Sequence, residues 1–358
     1  MIRTTRFQNQ GGTMKPLILV LCGLLICSVP VHAGRGDKSG TSAAAELLIP
    51  IGPRGIALGG SSLATVTGIE AVYWNPAGLA QSLHAAYAMF SHMDYIADIG
   101  VEYGAVGISF AGFGTLALSL KTLSFGDIEI TTEDQPDGTG ELTSPTFFTL
   151  GTTYARQLAD RIAVGLTFNL ISERMERVSS TGIAFNIGVQ YSGVGGISGL
   201  DLGVVVKNIG PQMKYSGPGL LRQGNIDDVL RPGSFYLVKA ASAELPSIME
   251  LGLGYRTTLA EGSKLITTAM FQNNNFSEDE YKTGIEYVYN DMLFLRGGYN
   301  IVSTQSSDRE SIFDGAHGWT FGFGFHRLVS DVDVNVDYAY RAVEFFGGNH
   351  VFGVTFGF

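Results

Sequence analysis

The C-terminal third of the chain alternates apolar residues with small or polar ones at a period of two. In 317–326, Trp319, Phe321, Phe323 and Phe325 fall on one face, and Gly318, Thr320, Gly322 and Gly324 on the other. From 331 to 340, Val332, Val334, Val336, Tyr338 and Tyr340 alternate with Asp331, Asp333, Asn335, Asp337 and Ala339. The chain ends with Phe352, Val354, Phe356 and Phe358 set against Val351, Gly353, Thr355 and Gly357. Successive side chains of a strand point to opposite faces, so each run predicts a strand with one apolar face. A soluble sandwich would bury the aromatic face and offer water a polar one. Here the second face is rich in glycine, which suits the crowded interior of a transmembrane barrel whose apolar face meets lipid.

The same template places strands near 85–91, 101–110, 113–123, 146–157, 161–171, 181–191, 199–208, 248–257, 264–273, 281–289, 292–300, 317–326, 331–340 and 350–358. The predicted fold is all-β, an antiparallel outer-membrane barrel of about 14 strands over 85–358, an even number as bacterial single-chain barrels have. Connections at Ala111-Gly112, around Ala159, at Asn290-Asp291 and from His326 to Ser330 are short, whereas 124–145, 209–247 and 301–316 are long. Short periplasmic turns in strict alternation with long outer loops are expected of such barrels, and this sorting puts the C-terminus in the periplasm. The terminal Phe358, with Phe356 before it on the same face, resembles the signal by which the outer-membrane assembly machinery recognises its clients.

The first residues predict export. Lys15, the apolar stretch Leu17 to Val29 and the small-residue site Val31-His32-Ala33 read as a signal peptide over 1–33 cleaved after Ala33, with Met14 an alternative start. About 13 apolar residues are too few for a spanning helix, which needs roughly 20. Both cysteines, Cys22 and Cys27, fall inside this segment, so the mature chain is expected to have none. Without Arg3, Arg6 and Lys15 the chain keeps 20 basic against 33 acidic residues, a net charge of −13, which argues against nucleic acid as a partner.

Residues 34–84 break the strand pattern with Gly52-Pro53-Arg54-Gly55, Leu58-Gly59-Gly60-Ser61 and Tyr73-Trp74-Asn75-Pro76-Ala77-Gly78-Leu79-Ala80. Asn75 can cap a short helix and Pro76 suits its first position. The run Arg54-Gly55-x-Ala57-x-Gly59-Gly60 followed by Ala71-x-Tyr73-Trp74-Asn75-Pro76-Ala77-Gly78-Leu79-Ala80 resembles the N-terminus of the PorV/PorQ family, part of the larger group typified by the long-chain fatty-acid transporter FadL. The Asp337-Tyr338-Ala339-Tyr340 strand and the glycine-rich approach to the last strand are similar too. The resemblance implies a plug, or hatch, over 34–84 inside a fourteen-stranded barrel, with Asn75, Pro76 and Ala77 as a hatch turn closing the lumen.

Candidate chemistry is sparse. Asp331-x-Asp333-x-Asn335-x-Asp337 imitates a calcium loop, but Val336 stands where glycine is required and Ala342 where glutamate is. The strand reading therefore sends Asp331, Asp333 and Asp337 into the lumen, near Lys207, Lys282, Arg256 or Arg296. Glu250, Arg256, Glu286 and Arg296 are further lumen candidates, as ion pairs that rigidify the wall or as solute contacts. Gly193 to Gly199 reads as a periplasmic turn. The histidines outside the signal, His84, His92, His317, His326 and His350, show no metal spacing, and no catalytic motif occurs, so no enzyme activity, metal or cofactor is expected. Two functions remain: passive handling of small hydrophobic solutes across the outer membrane, as the FadL resemblance implies, or a type IX secretion role in which the barrel binds, shuttles or anchors exported proteins. Expected partners are outer-membrane lipid, the assembly machinery, and a hydrophobic small molecule or a secreted protein.

Overall fold

Fourteen antiparallel strands close into one barrel. They are β1 (Ala86–Asp94), β2 (Gly100–Phe110), β3 (Gly114–Ser124), β4 (Thr146–Ala159), β5 (Ile162–Met175), β6 (Val178–Ser192), β7 (Leu200–Ile209), β8 (Ile248–Ala260), β9 (Ser263–Asn274), β10 (Glu280–Tyr289), β11 (Leu293–Val302), β12 (Gly318–Val329), β13 (Val332–Val343) and β14 (Gly347–Gly357). Each pairs with its sequence neighbour, and β14 returns to β1 in a register running from Tyr87 opposite Gly357 to Asp94 opposite His350. This computed structural model describes residues 40–224, 234–302, 318–343 and 347–358. The expected signal segment, its cleavage site, both cysteines, His317 and most of the 301–316 loop lie outside the described residues.

Closure leaves no unpaired edge, the condition a sheet must meet to cross lipid. The outward parity of the strands carries the apolar side chains: Trp319, Phe321, Phe323 and Phe325 are 60%, 55%, 57% and 39% exposed, while Thr320 between them is buried. Among the described residues no helix is long and apolar enough to span a membrane.

Long connections gather at one end of the barrel and short ones at the other, but the alternation is not strict. At the long-loop end, 176–177 is a two-residue hairpin turn, closed by Glu176 with φ of +47°, because β5 and β6 pair all the way out to Met175 opposite Val178. At the short-turn end, 193–199 is the longest connection and includes a 3-10 turn. If the long loops face outward, a Thr139→Cys variant is expected to react with a membrane-impermeant thiol reagent on intact cells, and Asp291→Cys only after permeabilisation. The reverse order would invert the barrel.

The strand β7 stops short of β6 at the long-loop end. Its register against β6 shifts between Phe185 and Ile187, where Asn208 takes a left-handed φ of +61°. Asparagine tolerates that conformation better than most residues, and here the Asn208 N–H donates to Asn186 Oδ1 at 2.8 Å while its amide donates to the Pro246 carbonyl at 3.0 Å. Beyond this point the outer edge of β6 pairs with the next loop instead, Ser179 opposite Ser216.

Candidate functional site

Residues 40–84 lie within the ring of strands as a chain of short helical turns. The turn Pro53–Ala57 packs on β11 to β14, Ser62–Ala64 on β7, β8 and β9, Gly68–Glu70 on β1 and β2, and Pro76–Gln81 on β4, β5 and β6. Leu58, Leu63, Val66, Ala77 and Leu79 are wholly buried there. Asn75 is the N-cap of its turn, its side chain accepting from the Ala77 N–H at 3.1 Å, with Pro76 in the first position. The same amide donates to Leu63 O at 3.1 Å within the segment and to Val189 O of β6 at 3.2 Å. Gln190 of β6 answers by donating to Leu63 O and Val66 O at 3.1 and 2.9 Å. Asn75 thus joins turn, segment and wall in one fully satisfied group.

The glycines of the inward parity explain how the segment fits. A Cβ on Gly165 of β5 would sit 2.5 Å from the Ala77 nitrogen, one on Gly203 of β7 2.7 Å from Leu63 O, and one on Gly284 of β10 2.7 Å from Leu58 O. Part of the glycine content, 48 residues in the chain, thus forms a seat for this segment's backbone.

The lumen candidates divide into four groups. Glu286 and Arg296 meet in a buried chain that also takes in Asp337: Arg296 Nε donates to Glu286 Oε2 at 2.6 Å and Nη1 to Asp337 Oδ1 at 2.5 Å. Arg54 of the inner segment grips the same Glu286 with two bonds of 3.0 Å. Glu250 pairs with Lys207 at 2.8 Å, both buried. Arg256 pairs with Asp201 toward the short-turn end, and Asp333 holds His84 and His326 at 2.6 and 3.0 Å near that mouth. Asp331 does not reach the lumen. It sits exposed in the turn between β12 and β13 with φ of +70°, because the chain must reverse there and the strand alternation does not extend into a turn. Among the described residues no cluster could hold a metal ion. Sequence reasoning missed Arg54 and Glu46, both charged residues in a segment otherwise read for its turns.

A cavity of about 120 Å³ lies above the inner segment at the long-loop end. Its floor is apolar, from Leu47, Leu48, Pro50, Ile56 and Trp74, while the facing wall presents ionic side chains, among them Lys207, Glu250, Glu280, Lys282 and Arg341. Lys282 pairs with Glu280 at 3.0 Å. A smaller cavity, about 40 Å³, lies deeper between segment and wall beside Tyr103, Lys121, Thr149 and Asn169. Leu47, Tyr73 and Lys207 line both cavities.

A closed fourteen-stranded sheet with an apolar outer band and ion pairs within defines an outer-membrane β-barrel. More particularly, the chain belongs to the PorV family: the family described as type IX secretion system protein PorV matches it over residues 33–238, more than half its length. No curated protein matches it in sequence. In fold it is similar to the CymD monoaromatic hydrocarbon channel, with a TM-score of 0.54 and 13% identity over 87% of this chain and 98% of that one. It is likewise similar to the toluene transporter TodX of Pseudomonas putida, at 0.54 and 13% over 86% and 97%, and to a FadL homologue of Pseudomonas aeruginosa, at 0.50 and 12% over 86% and 98%.

Proposed function

We propose that this is a non-enzymatic barrel that takes up small hydrophobic solutes from outside and passes them across the outer membrane without an energy source of its own. The observation that carries this reading is the cavity at the long-loop end, whose apolar floor is the inner segment itself. A solute bound there contacts the very element that must move to let it through. Residues 34–84, with the turn at Asn75, Pro76 and Ala77, act in this reading as the hatch. The fold neighbours named for monoaromatic hydrocarbons and toluene support it. Export by a signal peptide cleaved after Ala33 and recognition by the assembly machinery belong to the same reading. For the latter, Phe358 is 55% exposed on the outward parity, with its backbone paired to Ala86 at 2.9 Å, closing the barrel seam.

The test is uptake of the apolar dye N-phenylnaphthylamine by intact cells with and without the protein. Uptake should rise with the protein and fall roughly tenfold in Leu48→Glu, which sets a carboxylate into the apolar floor. Equal uptake in all three strains would sink the reading.

A second reading, a type IX secretion barrel that binds, shuttles or anchors exported proteins, is favoured by the family match. A second observation also suits it: the outer loop ribbon pairing Leu221–Gly224 with Ser234–Leu237 exposes Leu221, Phe235 and Leu237 at 43%, 71% and 59%. Exposed apolar patches of this kind mark contact surfaces. This reading requires the same genome to encode the rest of that machinery and its C-terminal cargo signals.

A further inference from the structure

We propose that Glu46 and Glu173 form a proton-operated latch that holds the first turn of the inner segment against the barrel wall near its outer end. The latch stands on the burial of both carboxyls and the packing of the turn; its consequence for passage rests on the conduit reading above. Glu46 lies in the turn Ala45–Leu48 and Glu173 on the inward parity of β5, and each is only 3% exposed. Neither carboxyl oxygen of Glu46 meets a donor, and its turn packs on Ile171, the next residue of the same parity as Glu173 on β5. Two carboxylates closed off from water repel each other and bear the full cost of unpaired buried charge, and one proton shared between them removes both penalties.

The groups around the pair leave that proton as the economical solution. From β3, Lys121 attracts Glu46, but its ammonium donates to the Ile49 carbonyl at 2.8 Å. From the outer loop, the Tyr215 hydroxyl donates to Glu173 Oε2 at 2.7 Å, which occupies one lone pair without neutralising the charge. Lys207, further off across the Tyr73 ring, is paired with Glu250. Glu244 meets this turn through its backbone, Ala43 N–H donating to its carbonyl at 2.9 Å. Burial first, and the neighbouring Glu173 second, push the Glu46 carboxyl up to about 8. A carboxyl raised in the docked state favours docking fully below the ordinary carboxyl range, and that contribution is lost as pH rises through about 8.

The latch matters because of what the turn covers. Ala43, Ala44 and Leu47 pack on Ile171, Ala184, Met213 and Leu245, beside the stretch of β6 that β7 does not reach. Leu47 also lines both cavities. Lifting this turn joins them.

Hydrogen exchange on the purified full chain in lipid nanodiscs tests the latch. The backbone amides of 43–49 are followed from pH 7 to 9, with those of 71–79 as the internal reference for intrinsic pH dependence. In the natural chain protection should fall by up to about tenfold per pH unit above the titration point. In Glu46→Gln and Glu173→Gln, where an amide donates to the remaining carboxylate, it should stay flat. The same pH dependence in Glu46→Gln, or none in the natural chain, overturns the proposal. Glutamine keeps the side chain's shape, and heat-dependent gel migration establishes that each variant barrel has folded. Dye uptake separates the two readings: a pH-dependent loss of protection without faster uptake leaves the latch in place and removes the conduit.

Discussion

Replacing Glu286 by alanine is expected to destabilise the protein by roughly 3–5 kcal/mol, the usual cost of removing one partner from a buried ionic group. Its side chain is 2% exposed, and both Arg54 and Arg296 close on it, at 3.0 and 2.6 Å. Without Glu286 these two guanidiniums share the single nearby wall carboxylate of Asp337, which Arg296 already holds at 2.5 Å. Glu70 gives little relief, because burial holds its carboxyl above the ordinary range and its Oε1 accepts the Gly55 N–H at 3.0 Å. The loss should appear as a lower urea midpoint for the barrel, and as protease sensitivity in 40–84, since Arg54 is then no longer tied to the wall. Lys264→Ala removes a pair whose side chains are 49% and 67% exposed, so water and salt already screen it and the change should stay below about 1 kcal/mol. Equal midpoints for the two variants would mean that Glu286 does not secure the inner segment.

The strand set was legible because alternation is a local signal. The C-terminal run of Trp319 to Phe325 is read from ten consecutive residues, and its exposed column follows from strand geometry alone. The Asn75 cap was legible for the same reason, since the side chain reaches a backbone N–H two residues away. What alternation could not supply was partner choice across the lumen. Arg54 and Glu286 are 232 positions apart, and their meeting depends on barrel closure and on the path of the inner segment. Asp331 escapes strand parity because the strand begins only at Val332 and residue 331 belongs to the turn. The inward glycines signal a crowded interior by composition alone, but that Gly165, Gly203, Gly284 and Gly298 each face the backbone of the inner segment depends on the path of that segment, which the strand pattern does not contain.

Gly165→Leu is therefore expected to leave a barrel that assembles but whose inner segment no longer seats. The outward face of β5, with Leu166 and Phe168 toward lipid, is untouched, and the backbone ladders to β4 and β6 need no side chain at position 165. Inside, even the first carbon of a side chain would stand 2.5 Å from the Ala77 nitrogen. That neighbour is backbone, in a turn whose cap, Asn75, is itself bonded to β6 at 3.2 Å. Neither side can yield without breaking hydrogen bonds. Overpacking ordinarily costs about 1–3 kcal/mol, and here the cheaper response is to expel the Pro76–Gln81 turn with its bonds to Gln190. In planar bilayers the natural protein should be closed and the variant should conduct ions, while residues 40–84 become open to protease. Gly104→Leu is the control, because its Cβ meets nothing within 4 Å and points to lipid; it should behave as the natural protein does. A Gly165→Leu barrel that stays closed and protected would show that the inner segment is held without this seat.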